Sequence, residues 1–137
     1  VGIILGIDML DSKVRSVEDL ERVVRLPLLG TFPEVGNGKV KVGEEDFIQS
    51  ESMQLIREKL NYILKQQKSP VIMVTSTIPG EGKSMVATHL ANAYARAGKR
   101  VIVVGCDLRN PSLHSFLDFD RQDCPPIWRD CVILRSN

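Results

Sequence analysis

The chain has 137 residues, 43% of them apolar and 26% charged, the balance of a soluble globular chain rather than a disordered one. With 18 basic against 17 acidic residues, a net charge of +1 and 5% aromatic residues, a broad basic face and a base-stacking platform are both excluded, so no nucleic-acid partner is expected. No apolar run approaches the roughly 20 residues that cross a bilayer, and three cysteines without a C-x-x-C pair argue for reduced thiols rather than a disulfide framework or a zinc site.

The chain opens on Val1 rather than Met, which leads us to expect a fragment or a processed product. Its VGIILGI start reads equally as a buried strand or helix turn and as the tail of a removed membrane span. Residues 16–25 predict a short helix, with Ser16 as its cap, Asp19 at the third helical position, and Leu20, Val23 and Val24 repeating on one face. Pro27 ends it, and LPLLGTFP reads as a short extended segment closed by Pro33. The stretch 34–46, with three glycines and an acidic cluster, is a linker.

A long amphipathic helix follows over about 46–66, with Phe47, Ile56, Leu60, Ile63 and Leu64 at helical spacing. Glu51, Arg57, Glu58 and Lys59 form its solvated face. VIMVT at 71–75 predicts a strand buried on both faces. Ser84 to Ala97 is alanine-rich and predicts a helix stopped by Gly98, and VIVV at 101–104 predicts a second strand. Strand, glycine-rich turn, helix and strand make one βαβ unit, so the expected class is α/β with parallel strands joined by a right-handed crossover.

The turn of that unit carries the chemistry. Thr77-Ile78-Pro79-Gly80-Glu81-Gly82-Lys83-Ser84 lies between a predicted strand and a predicted helix, the setting of a phosphate-binding loop. Glycines at 80 and 82 let the backbone curl until successive N–H groups face phosphate oxygens. The helix behind the loop adds its positive end. Lys83 can reach the β- and γ-phosphates, and Ser84 offers a hydroxyl to Mg²⁺. Threonine at 77 departs from the strict G-x-x-x-x-G-K-[ST] form, and Met85 excludes the dinucleotide pattern G-x-G-x-x-G. Asp107 stands just past the second predicted strand, at the sheet edge where ligands collect in such folds. It is either a Mg²⁺ carboxylate or a turn residue. Arg109 can pair with it or with phosphate.

PGEGKS at 79–84, GKRVIVV at 98–104 and DLRNPSLH at 107–114 resemble the cytoplasmic domain of the bacterial tyrosine autokinases. Those proteins serve capsule and exopolysaccharide export and fall within the deviant P-loop ATPases. IDMLDSKVRSVEDLERVVRLPLLGTFP at 7–33 is similar to the segment that joins their last membrane helix to the kinase, and Glu51–Leu60 to the helix before the loop.

The resemblance covers about 3–118. It implies a juxtamembrane-like connector at 1–33, the linker at 34–46, an incomplete nucleotide-binding domain at 47–119 and an atypical tail at 120–137. The fold implied is a partial doubly wound parallel sheet. The activity implied is phosphoryl transfer from ATP, with Mg²⁺, to tyrosine at the cytoplasmic face of the inner membrane.

Pro79, Gly80, Glu81, Gly82, Lys83, Ser84 and Met85 match the family's phosphate loop. Lys83 and Asp107 match catalytic positions, and Ser84 and Asp107 the metal site. The family's first aspartate of D-x-D, its base for the tyrosine hydroxyl, falls on Gly105. Its oligomerisation motif E-x-x-R-x-x-R is reduced to Glu51, Gln54 and Arg57.

No Walker B run follows His114, and Tyr62 and Tyr94 are the only tyrosines. The tail leads us to expect a truncated or frame-shifted end, and the chain an impaired kinase. Partners implied are ATP, a second copy through the helix around Glu51 and Arg57, and the polysaccharide export machinery. The competing reading is a non-catalytic regulatory or partner fragment of that assembly. A partition-type ATPase would carry an extra lysine early in the loop, where this chain has Thr77, Ile78 and Pro79.

Overall fold

The computed structural model describes residues 16–24, 26–32, 47–107, 112–117 and 131–134. The opening 1–15, the linker 34–46, Arg109 and the tail on either side of 131–134 lie outside them. Helix α1 spans Val17–Val23. The Ser16 hydroxyl accepts the Asp19 N–H at 3.2 Å, as its place ahead of the apolar repeat predicts. The Leu20 and Val23 side chains lie outside the description.

Helix α2 spans Phe47–Ile63 and helix α3 Lys83–Arg96. They pack together through Met53, Ile56 and Leu60 of α2 against Leu90 and Ala93 of α3. Each large apolar side chain buried there contributes about 1.5–3 kcal/mol. Met53, which the spacing argument passed over, belongs to this core, whereas Ile63 is exposed. Ile56 and Leu60 are buried as expected, and Leu64 packs against the same core. The connector is laid on the same core. Leu29 and Phe32 pack against it, Lys59 Nζ donates to the Leu28 carbonyl at 3.3 Å, and a Cβ at Gly30 would stand 2.8 Å from Ile56 Cγ1.

Helix α3 ends as its sequence predicts. Gly98 takes φ +79°, its N–H reaches Ala95 O at 2.8 Å, and the Lys99 N–H reaches Tyr94 O at 3.1 Å. This paired closure caps the last carbonyls and needs a left-handed residue at Gly98. The chain then reverses into strand β1, Val101–Val104. Ala91, Val103 and Leu113 form a second small core, with Val101 and Leu134 against it.

The sheet differs from the expected one. Among the described residues it has two strands, β1 and β2 (Cys131–Leu134). They run antiparallel, with Val101 opposite Leu134 and Val104 opposite Cys131. Residues 71–75 form no strand, and Val71 and Met73 are 93% and 84% exposed. A strand exists only through a neighbour that takes its N–H and C=O groups, and here the described partner of β1 is 131–134. The mixed α/β class stands, while a parallel βαβ pair is not seen. β1 accordingly alternates, with Val103 inward and Ile102 and Val104 outward.

Candidate functional site

The loop before α3 is built from two left-handed residues. Gly80 and Gly82 have φ values of +89° and +90°, a conformation open to glycine and strained for other residues. Gly82 is also the N-cap of α3, and the first helical bond runs from the Val86 N–H to its carbonyl at 2.9 Å. Having no side chain, Gly82 leaves the first-turn N–H groups of the helix uncapped, and these carry the positive end of the helix dipole. Lys83 and Ser84 are the first two helical residues and half-buried, and Met85 follows with its Cε 3.6 Å from where a Gly82 Cβ would lie. Pro79 and Gly80 form the exposed turn ahead of them.

Glu81 closes the loop on itself. Its Oε2 accepts the Thr77 N–H at 2.9 Å and the Ile78 N–H at 3.3 Å, while the Ser76 hydroxyl donates to Ile78 O at 2.9 Å. The sequence marks Glu81 only as a loop residue. That its carboxylate takes two loop amides depends on the curl made by Gly80, which no spacing rule reveals.

Behind the loop, Thr88 is fully buried, and its hydroxyl reaches the Ser84 and Met85 carbonyls at 2.9 Å each. From the segment after β1, the Ser112 hydroxyl donates to the Ser84 hydroxyl at 2.9 Å. This contact brings Ser112 to the loop, and Ser112 is the residue that motif matching missed. Asp107 is exposed, three residues past the end of β1. Gly105 and Cys106 lie between, and Cys106 is an exposed free thiol. The donor set of the loop is backbone N–H groups, one ammonium and two hydroxyls, which suits a phosphate and the oxygen-preferring cation that accompanies it.

The other sequence-marked positions lie on α2. The Arg57 guanidinium spans the interhelical contact, with Nη1 donating to Ala93 O at 3.0 Å and Nη2 to Glu58 Oε1 at 2.6 Å. Glu51 and Gln54 are exposed. A cleft of about 220 Å³ between α2 and α3 is lined by Met53, Gln54, Arg57, His89, Asn92 and Arg96 among others. It is separate from the loop. Of the tyrosines, Tyr62 is exposed with Lys65 Nζ 4.3 Å above its ring. Tyr94 packs on the core with its hydroxyl buried and unpaired among the described residues. Burial raises its pKa, opposed in part by Arg57.

Residues 72–124 match the CobQ/CobB/MinD/ParA nucleotide binding domain. The chain is 34% identical over 76 residues to the tyrosine-protein kinase YwqD of Bacillus subtilis, covering 56% of this chain and 32% of that one. It is 26% identical over 129 residues to the tyrosine-protein kinase ptk of Acinetobacter johnsonii, covering 84% and 18%. It is 39% identical over 56 residues to the tyrosine-protein kinase CpsD of Streptococcus pneumoniae, covering 41% and 25%. The chain therefore spans about a third or less of the length of each of these curated relatives. No solved structure matches. The loop built by Gly80 and Gly82 falls inside the matched nucleotide-binding domain, and over part of its length the chain is similar to bacterial tyrosine-protein kinases.

Proposed function

We propose that this chain is the ATP-binding portion of a bacterial protein-tyrosine kinase of exopolysaccharide or capsule biosynthesis, acting at the cytoplasmic face of the inner membrane. The reaction class is phosphoryl transfer from ATP to tyrosine. The observation that carries the reading is the curled loop at 79–85, with two left-handed glycines and an uncapped helix N-terminus, inside a nucleotide-binding domain. Among the described residues no helix is long and apolar enough to cross a membrane.

Phosphoryl transfer asks a protein mainly to position groups and to neutralise developing charge. The N–H groups at 80–85 hold phosphate oxygens, and Lys83 carries its ammonium to the outer phosphates. Ser84 and Asp107 would supply oxygen ligands for Mg²⁺, which would neutralise charge on the phosphates. Glu81 keeps the loop curled. The tyrosine hydroxyl needs a base, and position 105 has no side chain to act as one.

The chain therefore binds nucleotide weakly and does not phosphorylate itself. Incubation of the full chain with γ-labelled ATP is expected to leave Tyr62 and Tyr94 unlabelled, and label on either refutes this part. We also assign residues 71–75 as a strand parallel to β1 in a doubly wound sheet when nucleotide is bound. Slowed amide exchange across 71–75 on adding ATP and Mg²⁺ supports this, and unchanged exchange refutes it.

Gly105 favours a second reading, a non-catalytic partner in a polysaccharide export assembly. Contact with a second copy would use α2 around Glu51 and Arg57. Capture of an intact homologue by this chain, equal with and without ATP, distinguishes that role from a nucleotide-dependent one.

A further inference from the structure

The hydroxyl of Ser84 has a partner from outside its own loop. Ser112 Oγ donates to Ser84 Oγ at 2.9 Å across 28 residues of sequence. Both serines are mounted on held backbone. The Ser112 carbonyl accepts the Ser115 N–H at 3.1 Å and the Ser115 hydroxyl at 2.6 Å, and the adjoining Leu113 is buried against Ala91 and Val103. Ser84 sits in the first turn of α3, and its carbonyl is taken by the fully buried Thr88.

A serine hydroxyl carries one proton and two acceptor sites. With Ser112 filling one acceptor site, Ser84 keeps one lone pair and its own proton to direct elsewhere. Left alone, its oxygen would exchange among three staggered wells.

We propose that Ser112 is a positioning residue for the metal site, fixing the Ser84 hydroxyl so that its remaining lone pair faces the cation of a magnesium–nucleotide complex. The inference rests on the nucleotide reading of the loop.

The test is a titration of the full chain with a fluorescent ATP analogue, in EDTA and over a range of Mg²⁺ concentrations, with circular dichroism confirming folding. Groups that orient a metal ligand typically matter by 10–100-fold in metal affinity. Ser112→Ala is expected to need about ten times more Mg²⁺ for the same tightening while binding the analogue normally in EDTA. Ser112→Thr, which keeps the hydroxyl, restores the wild-type Mg²⁺ response.

An unchanged Mg²⁺ response in Ser112→Ala overturns the proposal. So does an equal loss with and without Mg²⁺, which marks a structural role, or a failure of Ser112→Thr to restore the response. If the wild-type chain does not bind the analogue, or Lys83→Met binds it equally well, the loop reading falls and this inference with it.

Discussion

At the scale of single residues, the loop is held by groups whose types were legible and whose contacts were not. Gly80 and Gly82 could be marked from the sequence because their positive φ values follow from the curl a phosphate loop needs. Glu81 could not, since its bonds to the Thr77 and Ile78 N–H groups come from the folded loop rather than from spacing. Two effects of Glu81 on an anionic ligand oppose each other. Its charge repels phosphate, while its bonds from the Thr77 and Ile78 amides order the loop, each contributing about 1.5–3 kcal/mol before a discount for solvent exposure. The ordering is expected to dominate. Glu81→Ala is therefore expected to weaken nucleotide binding about fivefold and Glu81→Gln less. Nucleotide titration of the two variants checks this, and tighter binding by Glu81→Ala contradicts it. Ser112 escaped motif matching for a related reason: a serine after proline carries no signal until the chain returns to Ser84.

At the scale of elements, both long helices and the turn at Gly98 follow from sequence, because helical periodicity and a left-handed stop are local properties. What periodicity left open was the choice of buried stripe on α2, where Met53 is in and Ile63 out. The buried stripe meets Leu90 and Ala93 of the facing helix and Leu29 and Phe32 of the connector, contacts that are not local in sequence. At Gly30 the connector runs close against α2, with Ile56 Cγ1 2.8 Å from a built Cβ. Because Ile56 is buried it has little room to yield, and Gly30→Ala is expected to destabilise the chain by about 1–2 kcal/mol through overpacking. Urea unfolding measures this, and a variant as stable as wild type would show that the connector does not seat on α2. Arg57 shows how a motif position can carry another duty. The family resemblance implies a role in contact between copies, yet its guanidinium binds Ala93 O and Glu58 within the chain.

At the scale of the whole molecule, the sheet was the least legible part. VIMVT and VIVV both read as buried parallel strands, but strand pairing is a long-range choice. Among the described residues β1 pairs with 131–134 and 71–75 pairs with nothing. The outward Ile102 and Ile133 stand opposite each other and exposed, since α3 packs on the other face of β1. The class of the fold, the loop and its placement before α3 were nevertheless readable, because they rest on glycine, lysine and serine at fixed spacing between two recognisable elements.

The central claim is that this loop binds nucleotide through Lys83 and the open end of α3. Isothermal titration of the full chain with ATP and Mg²⁺, beside folded Lys83→Met, tests it most directly. The account predicts weak, saturable heat for the wild-type chain, lowered at least tenfold in affinity by Lys83→Met, about the worth of one charge-assisted contact of 1.5–3 kcal/mol. No binding by the wild-type chain, or equal binding by Lys83→Met, would contradict it.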